Sequence, residues 1–285
     1  MEQINWLFCQ DNSDEILSQG ISKIQDCEFC KHSDLSFSIF GNYLISHLNK
    51  PYYIGEARDI RKRLKQQFNP ATSTFYKNFL KHSKLNQAIK SIPIHDFSFQ
   101  FIETEIGRKE IEDFGISNLN TSLNRFQIGK RLKFNPITKN DLWNEVQKHK
   151  EELLIQAEEQ IFKQKYTPWI NCIAKSVAGI YIVKHKKDII YIGESSDINE
   201  RHLTHSTRTY FSALRRHVGT EILKHKLQER NGKKKYFDDY DDKKVTSFLH
   251  ETDAIFYPVN FGRYELEEFL IKKHKPLLNR KDNKE

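Results

Sequence analysis

Apolar and polar residues alternate along this chain in one arrangement that occurs twice. In GIYIVKHKKDIIYIG (179–193) two runs rich in β-branched and aromatic residues flank a basic stretch, which predicts an antiparallel hairpin turning at residue 186. With Tyr181 and Tyr191 directly opposite each other, both phenols lie on one face of the sheet, and Gly193 makes a tight turn after the second strand. A helix is expected over DINERHLTH, with Asp197 as its N-cap and with Arg201 and His205, four apart, on one face. AIFYPV (254–259) predicts a third strand. ELEEFLIKKHK predicts a closing helix, with Leu266, Phe269 and Leu270 as an apolar stripe and Glu267 beside it.

The same order of elements is expected earlier. Tyr43 and Tyr53 are ten apart, as are Tyr181 and Tyr191, and Arg63 and Arg201 each follow the second tyrosine by ten. FSFQFIET (97–104) matches the third strand, GRKEIEDFGI (107–116) matches GRYELEEFLI (262–271), and SLNR (122–125) matches LLNR (277–280). The copies are offset by 138 residues at the tyrosines and by 155 at Glu112 and Glu267, so the second carries a net insertion of 17, placed at ERNGKKKYFDDYDDKKV (229–245). Self-similarity in several collinear blocks argues for duplication. The expected organisation is an N-terminal segment (1–36), a first domain (37–130), a helical linker (131–176) and a second domain (177–285). Within the linker, residues 138–165 lack Gly and Pro and space their apolar residues as one helix would, holding the domains at a fixed separation.

Composition narrows the partners. A length of 285 residues suits two domains that each enclose a core. Lys+Arg 46 against Asp+Glu 38 leaves a formal charge of +8, which suits a polyanionic partner. No apolar run is long enough to span a membrane, and the start MEQINWLFCQDNSDE does not read as a signal peptide, so the expected location is cytoplasmic. Four cysteines are too few for a disulfide scaffold. Cys27 and Cys30, with Cys9 and His32, could form a zinc clasp, although most lone CxxC pairs are ordinary thiols. The basic clusters KHKK (184–187), LRRH (214–217), GKKK (232–235) and KKHK (272–275), interleaved with Tyr210, Phe211, Tyr236 and Phe237, could contact phosphates and bases. The acidic DDYDD would repel them and could instead be a solvent-facing turn.

The segment GIYIVKHKKDIIYIGESSDINERHLTH resembles the GIY-YIG nuclease superfamily, in Gly179-Ile180-Tyr181, Tyr191-Ile192-Gly193, Arg201 and His205. ELEEFLIKKHKPLLN looks like its closing motif, with Glu267 and Asn279. The first copy keeps Tyr43, Tyr53, Arg63, Glu112 and Asn124, but has Gly41-Asn42-Tyr43 as its first triplet and Gln67 in place of the histidine. The resemblance implies an α/β fold of two tandem GIY-YIG domains, each a small three-stranded antiparallel sheet flanked by helices. It also implies hydrolysis of DNA phosphodiester bonds with one divalent metal ion, magnesium or manganese.

Those residue types suit that chemistry. Glu267, and Glu112 in the first copy, would hold the metal through a hard oxygen. Arg201 would clamp the scissile phosphate. Tyr181 would orient or deprotonate water, with Tyr191 and His205 tuning the phenol, and Asn279 would support the site. Gln67 cannot accept a proton at working pH, which sets the first copy apart. Taken singly, a stacked tyrosine pair or a helical Arg and His is ordinary packing or surface, but together they match one spacing. The expected activity is an endonuclease cutting both strands, of restriction or defence type. The alternatives are a nicking or repair nuclease whose first domain only binds DNA, and a DNA-binding protein without turnover. The sequence leaves the oligomeric state open.

Overall fold

The computed structural model describes residues 4–31, 39–119, 121–124 and 141–279. They divide at Glu151/Glu152 into two compact units. No helix among them is long and apolar enough to cross a membrane.

In the first unit α1 (Trp6–Asp11) and α2 (Ser13–Asp26) precede a hairpin of β1 (Gly41–His47) and β2 (Lys50–Ala57). Leu48 and Asn49 close it with left-handed backbones, the pair that a two-residue hairpin turn requires. Then come α3 (Ile60–Gln67), α4 (Thr74–Ser83), the single turn α5 (Gln87–Lys90), β3 (Ser98–Glu103), α6 (Arg108–Asn118) and α7 (Leu142–Lys148). The sheet runs β2-β1-β3, antiparallel throughout. Helix α2 lies against β1, β3 and α6, burying Ile16, Leu17, Ile21 and Ile24. On the tyrosine face, Tyr43, Tyr53, Phe75, Phe97 and Phe99 share one apolar cluster.

Helix α8 (Lys150–Phe162) starts at the boundary and lies mostly in the second unit, which continues with the two-residue β4 (Thr167–Pro168) and a hairpin of β5 (Gly179–His185) and β6 (Asp188–Ser195). After α9 (Ile198–Thr207) and α10 (Ala213–His217) come the short strands β7 (Gln228–Arg230) and β8 (Lys233–Tyr236), then α11 (Asp239–His250), β9 (Asp253–Pro258) and α12 (Arg263–His274). The main sheet runs β4-β9-β5-β6, one two-residue strand more than the three expected, and β7-β8 form a separate ribbon inside the insertion. The acidic DDYDD is the first part of α11 and not a turn. Asp238 caps that helix by accepting from Asp241 N at 2.8 Å, so the carboxylates sit at the positive end of its dipole. The stretch expected as one connecting helix forms α7 and α8, broken at His149, whose backbone leaves the helical region; residues 138–140 lie outside the described residues.

The tyrosines share a face, but not as a directly opposed pair. A bulge between Val183 and Lys184 shifts the register, so Tyr181 faces Gly193 while Tyr191 faces Val183. The phenols therefore meet on the diagonal, with rings stacked 6.0 Å apart at 23°. Gly193 lies within β6 and makes no turn. It is glycine because Tyr181 lies across it: a Cβ there would fall 2.3 Å from the phenolic oxygen. Gly55 stands in the same relation to Tyr43, at 2.5 Å, below a matching bulge between Ile45 and Ser46.

The outer edge of β6 is covered by the tail that follows α12. Leu278 N donates to Ile190 O at 3.0 Å. The Asn279 side chain takes the Ile192 N–H at 2.9 Å and gives to the Ile192 carbonyl at 2.7 Å, as a neighbouring strand would. Leu123 and Asn124 do the same for Tyr52 and Ile54 of β2.

Gly193→Ala is expected to lower the unfolding free energy by about 1–3 kcal/mol, the usual cost of forcing a methyl into a filled site. Equilibrium denaturation checks this, and unchanged stability would show that the Tyr181 ring has room to move.

Candidate active site

Helix α9 begins where Asp197 accepts hydrogen bonds from Asn199 N and Glu200 N, each 3.0 Å. That start sets the helix phase so that His205 points inward, fully buried, while Arg201 one turn earlier lies at the rim. His205 Nε2 is 2.9 Å from the Tyr181 hydroxyl and Nδ1 is 2.7 Å from Ser212 Oγ. Ser212 caps α10, its oxygen accepting from Arg215 N at 3.0 Å. The Tyr191 ring stacks on that of Tyr181, centroids 6.0 Å apart.

This chain of contacts fixes the imidazole tautomer. Ser212 is fully buried, its oxygen already accepts a backbone N–H, and the acceptor left for its own proton is His205 Nδ1. Nε2 then carries the ring proton and donates to Tyr181. Burial first, and then the nearby Arg201, His202, Arg215 and Arg216, hold the His205 pKa well below 6.5, so the ring is neutral. Burial likewise keeps Tyr181 and Tyr191 above their ordinary values. Arg201 pulls the other way on both.

Glu267 projects from α12 beside this line, one carboxylate oxygen accepting Glu194 N at 3.0 Å. Glu194 itself is bonded by Arg263 Nε at 3.0 Å. Arg201 Nε is buried and lacks a hydrogen-bond partner among the described residues, an arrangement that costs free energy unless an acceptor arrives. Asn279 acts on the strand edge, away from the phenols.

The first unit repeats the line with one substitution. Ser73 Oγ donates to Gln67 Oε1 at 2.9 Å, and Gln67 Nε2 donates to the Tyr43 hydroxyl at 2.7 Å. Tyr43 and Tyr53 stack 6.3 Å apart, and Ser73 caps α4 as Ser212 caps α10. Glutamine therefore donates as neutral histidine does, and the contrast expected at this position is small. A larger one lies at the carboxylate. Lys109 Nζ sits 3.0 Å from Glu112 and 3.6 Å from Glu56. Burial works against its charge, but the two carboxylates outweigh that and raise its pKa.

Divalent metal chemistry can be tested against both carboxylates. Magnesium keeps several waters and takes one or two carboxylates, so the half-buried Glu267 suits it. Glu112, engaged by an ammonium, does not. No group of three or more His, Cys, Asp or Glu that could hold a metal occurs among the described residues. Of the expected zinc ligands, His32 lies outside those residues, Cys9 is buried with its pKa pushed up to about 12, and the Cys27 and Cys30 thiols face the carbonyls of Lys23 and Phe99.

Sequence reasoning missed Ser212 and Ser73, although each is a serine just before a helix, the usual N-cap signal. Two of the four basic clusters are largely spent on structure. Arg215 is fully buried and bonds to His205 O, Ser206 O and Asp242. Lys273 and His274 pair with Glu158. Phe237 is buried as well, whereas Lys233, Lys234, Lys235 and Phe211 are exposed.

Residues 165–285 match the family model described as the GIY-YIG catalytic domain. No curated protein and no solved structure matched the chain. The C-terminal part of the chain is therefore similar to GIY-YIG catalytic domains, a family made up of endonucleases.

Because the folded His205 refuses a proton that the unfolded ring accepts near pH 6.5, its share of stability is complete above that pH. It is lost as pH falls from there toward the lower folded value. Denaturation of His205→Gln, which preserves a donor to Tyr181, should show a smaller loss between about pH 7 and pH 5 than the natural chain does. Equal losses would place the titrating group elsewhere.

Proposed function

We propose that the second unit hydrolyses DNA phosphodiester bonds with a divalent metal ion, magnesium or manganese, held by Glu267. The observation that carries this reading is the partnerless Arg201 Nε beside two phenols and a carboxylate. A phosphate oxygen would satisfy it, and the guanidinium fork would bind the group and stabilise charge developing on it. Bound there, the metal supplies Lewis-acid charge for the phosphate oxygens.

The protein groups divide the remaining work. Tyr181 and Tyr191 orient the attacking water. His205 Nε2–H and Arg201 stabilise negative charge that reaches the Tyr181 oxygen, and Ser212 fixes the tautomer that lets His205 do so. Asn279 holds β6, and with it Tyr191, in place. The exposed Lys233, Lys234, Lys235 and Arg230 of the β7-β8 ribbon, near Tyr210, offer contacts for the DNA backbone.

We read the first unit as a diverged copy of the same domain, supported by its identical Tyr-to-Gly register, bulge, serine cap and asparagine clasp. With the metal-suited carboxylate in one unit, the favoured reading is a nuclease that nicks duplex DNA. Cutting both strands in one visit would need a second competent site.

Supercoiled plasmid with magnesium or manganese should yield nicked circles, and Glu267→Gln or Arg201→Ala should slow this by about a hundredfold or more, as loss of a charge-stabilising group does. His205→Gln should retain far more activity than His205→Ala. Plasmid left intact across varied DNA sequences and both metals would overturn the nuclease reading.

A further inference from the structure

In the first unit, Tyr43, Arg63, Gln67, Ser73, Lys109 and Glu112 line one cleft of about 240 Å³. Its counterpart groups in the second unit are those assigned to catalysis, with one change of kind: where the aligned block of the second unit has Tyr264, the first has Lys109. The ammonium lies between Glu112 and Glu56, the positions that correspond to Glu267 and Glu194. A cation already occupies the place where a divalent ion would be held, and it is tethered to the chain.

We infer that Lys109 is a resident cation that replaces the metal, so that the first unit grips a DNA phosphate without hydrolysing it and without any divalent ion. The exclusion is electrostatic and steric. A divalent ion reaching Glu112 must displace an ammonium that already neutralises the carboxylate and must accept a second positive charge beside its own. The gripping group is Arg63, which is exposed on α3 and opens into the same cleft. Among the described residues it makes no ion pair, and its place on the helix corresponds to that of Arg201. Lys109 adds a second positive group, whose ammonium can orient phosphate but cannot polarise water as a metal does. Ser73 and Gln67 are committed to the line that holds Tyr43.

The DNA part rests on the nuclease reading, whereas the metal part stands without it. Manganese binding by calorimetry, and by electron paramagnetic resonance of the free ion, separates the two. In a Glu267→Gln background the full chain should bind no manganese, and adding Lys109→Met should create one site that Glu112→Gln then abolishes. Manganese bound by Glu267→Gln alone in a Glu112-dependent manner would overturn the inference, as would failure of a folded Lys109→Met to gain a site. Lys109→Gln serves as a second variant should the methionine fail to fold.

A short fluorescent DNA duplex in excess chelator tests the grip. Arg63→Ala should weaken its binding about tenfold, the equivalent of one lost charged hydrogen bond. Unchanged affinity in that variant would overturn the DNA part. An uncut plasmid with this metal pattern intact would sink only the nuclease reading.

Discussion

A phenol buried at the centre of a sheet needs a hydrogen-bond partner, and much of the second unit is arranged to give Tyr181 one. The ring fits only because the residue opposite is glycine. The partner, His205, reaches it only because Asp197 starts α9 in the right phase. The imidazole is held in one tautomer because Ser212, itself the cap of the next helix, has nowhere else to send its proton. Arg215 then ties α10 back to the carbonyls of α9. Remove the phenol and each of these commitments loses its object. The same dependence in the first unit, with Gln67 as the intermediary, shows that the requirement is for a donor of the right reach rather than for a titrating group.

That distinction moves the chemical difference between the units. An imidazole that is neutral at rest and donates to Tyr181 does nothing there that an amide cannot do. An ammonium and a divalent ion differ far more. The ion arranges water at fixed angles and lowers its pKa, whereas the ammonium donates three hydrogen bonds and leaves water unchanged. In the proposed reading, one side chain next to a carboxylate therefore separates a site suited to hydrolysis from one suited to holding.

Much of this was legible in the sequence because the functional side chains sit at fixed steps along regular elements. Tyr181, Tyr191, Arg201, His205 and Glu267 come together as their spacing implied, and comparison of the two blocks matched all of them but His205, which Gln67 replaces. What stayed hidden depends on distances between elements. The bulge at Val183 is a backbone event without a residue signature, so direct opposition of the tyrosines was the natural expectation. LRRH is equally basic whether its arginines face solvent or, like Arg215, are buried. DDYDD suits an exposed turn and a helix start alike, and only the cap at Asp238 decides. Lys109 stood in plain view in the aligned blocks, but matching blocks draws attention to what they share.

Conservation of scaffold and loss of metal are separable within one fold because they act on different atoms. The asparagine clasp, the glycine beneath the phenol and the capping serine all serve neutral hydrogen bonds that persist without any ion. The carboxylate of α6, by contrast, would be a buried charge without a cation, at a cost that grows as water is excluded. In the proposed reading, a copy without metal that retains Glu112 must neutralise it, and a lysine three residues earlier on the same helix face does so without moving the backbone. On that reading, Lys109 lets the first unit keep the tyrosine, glutamine and serine geometry around Glu112 with no divalent ion to balance the carboxylate.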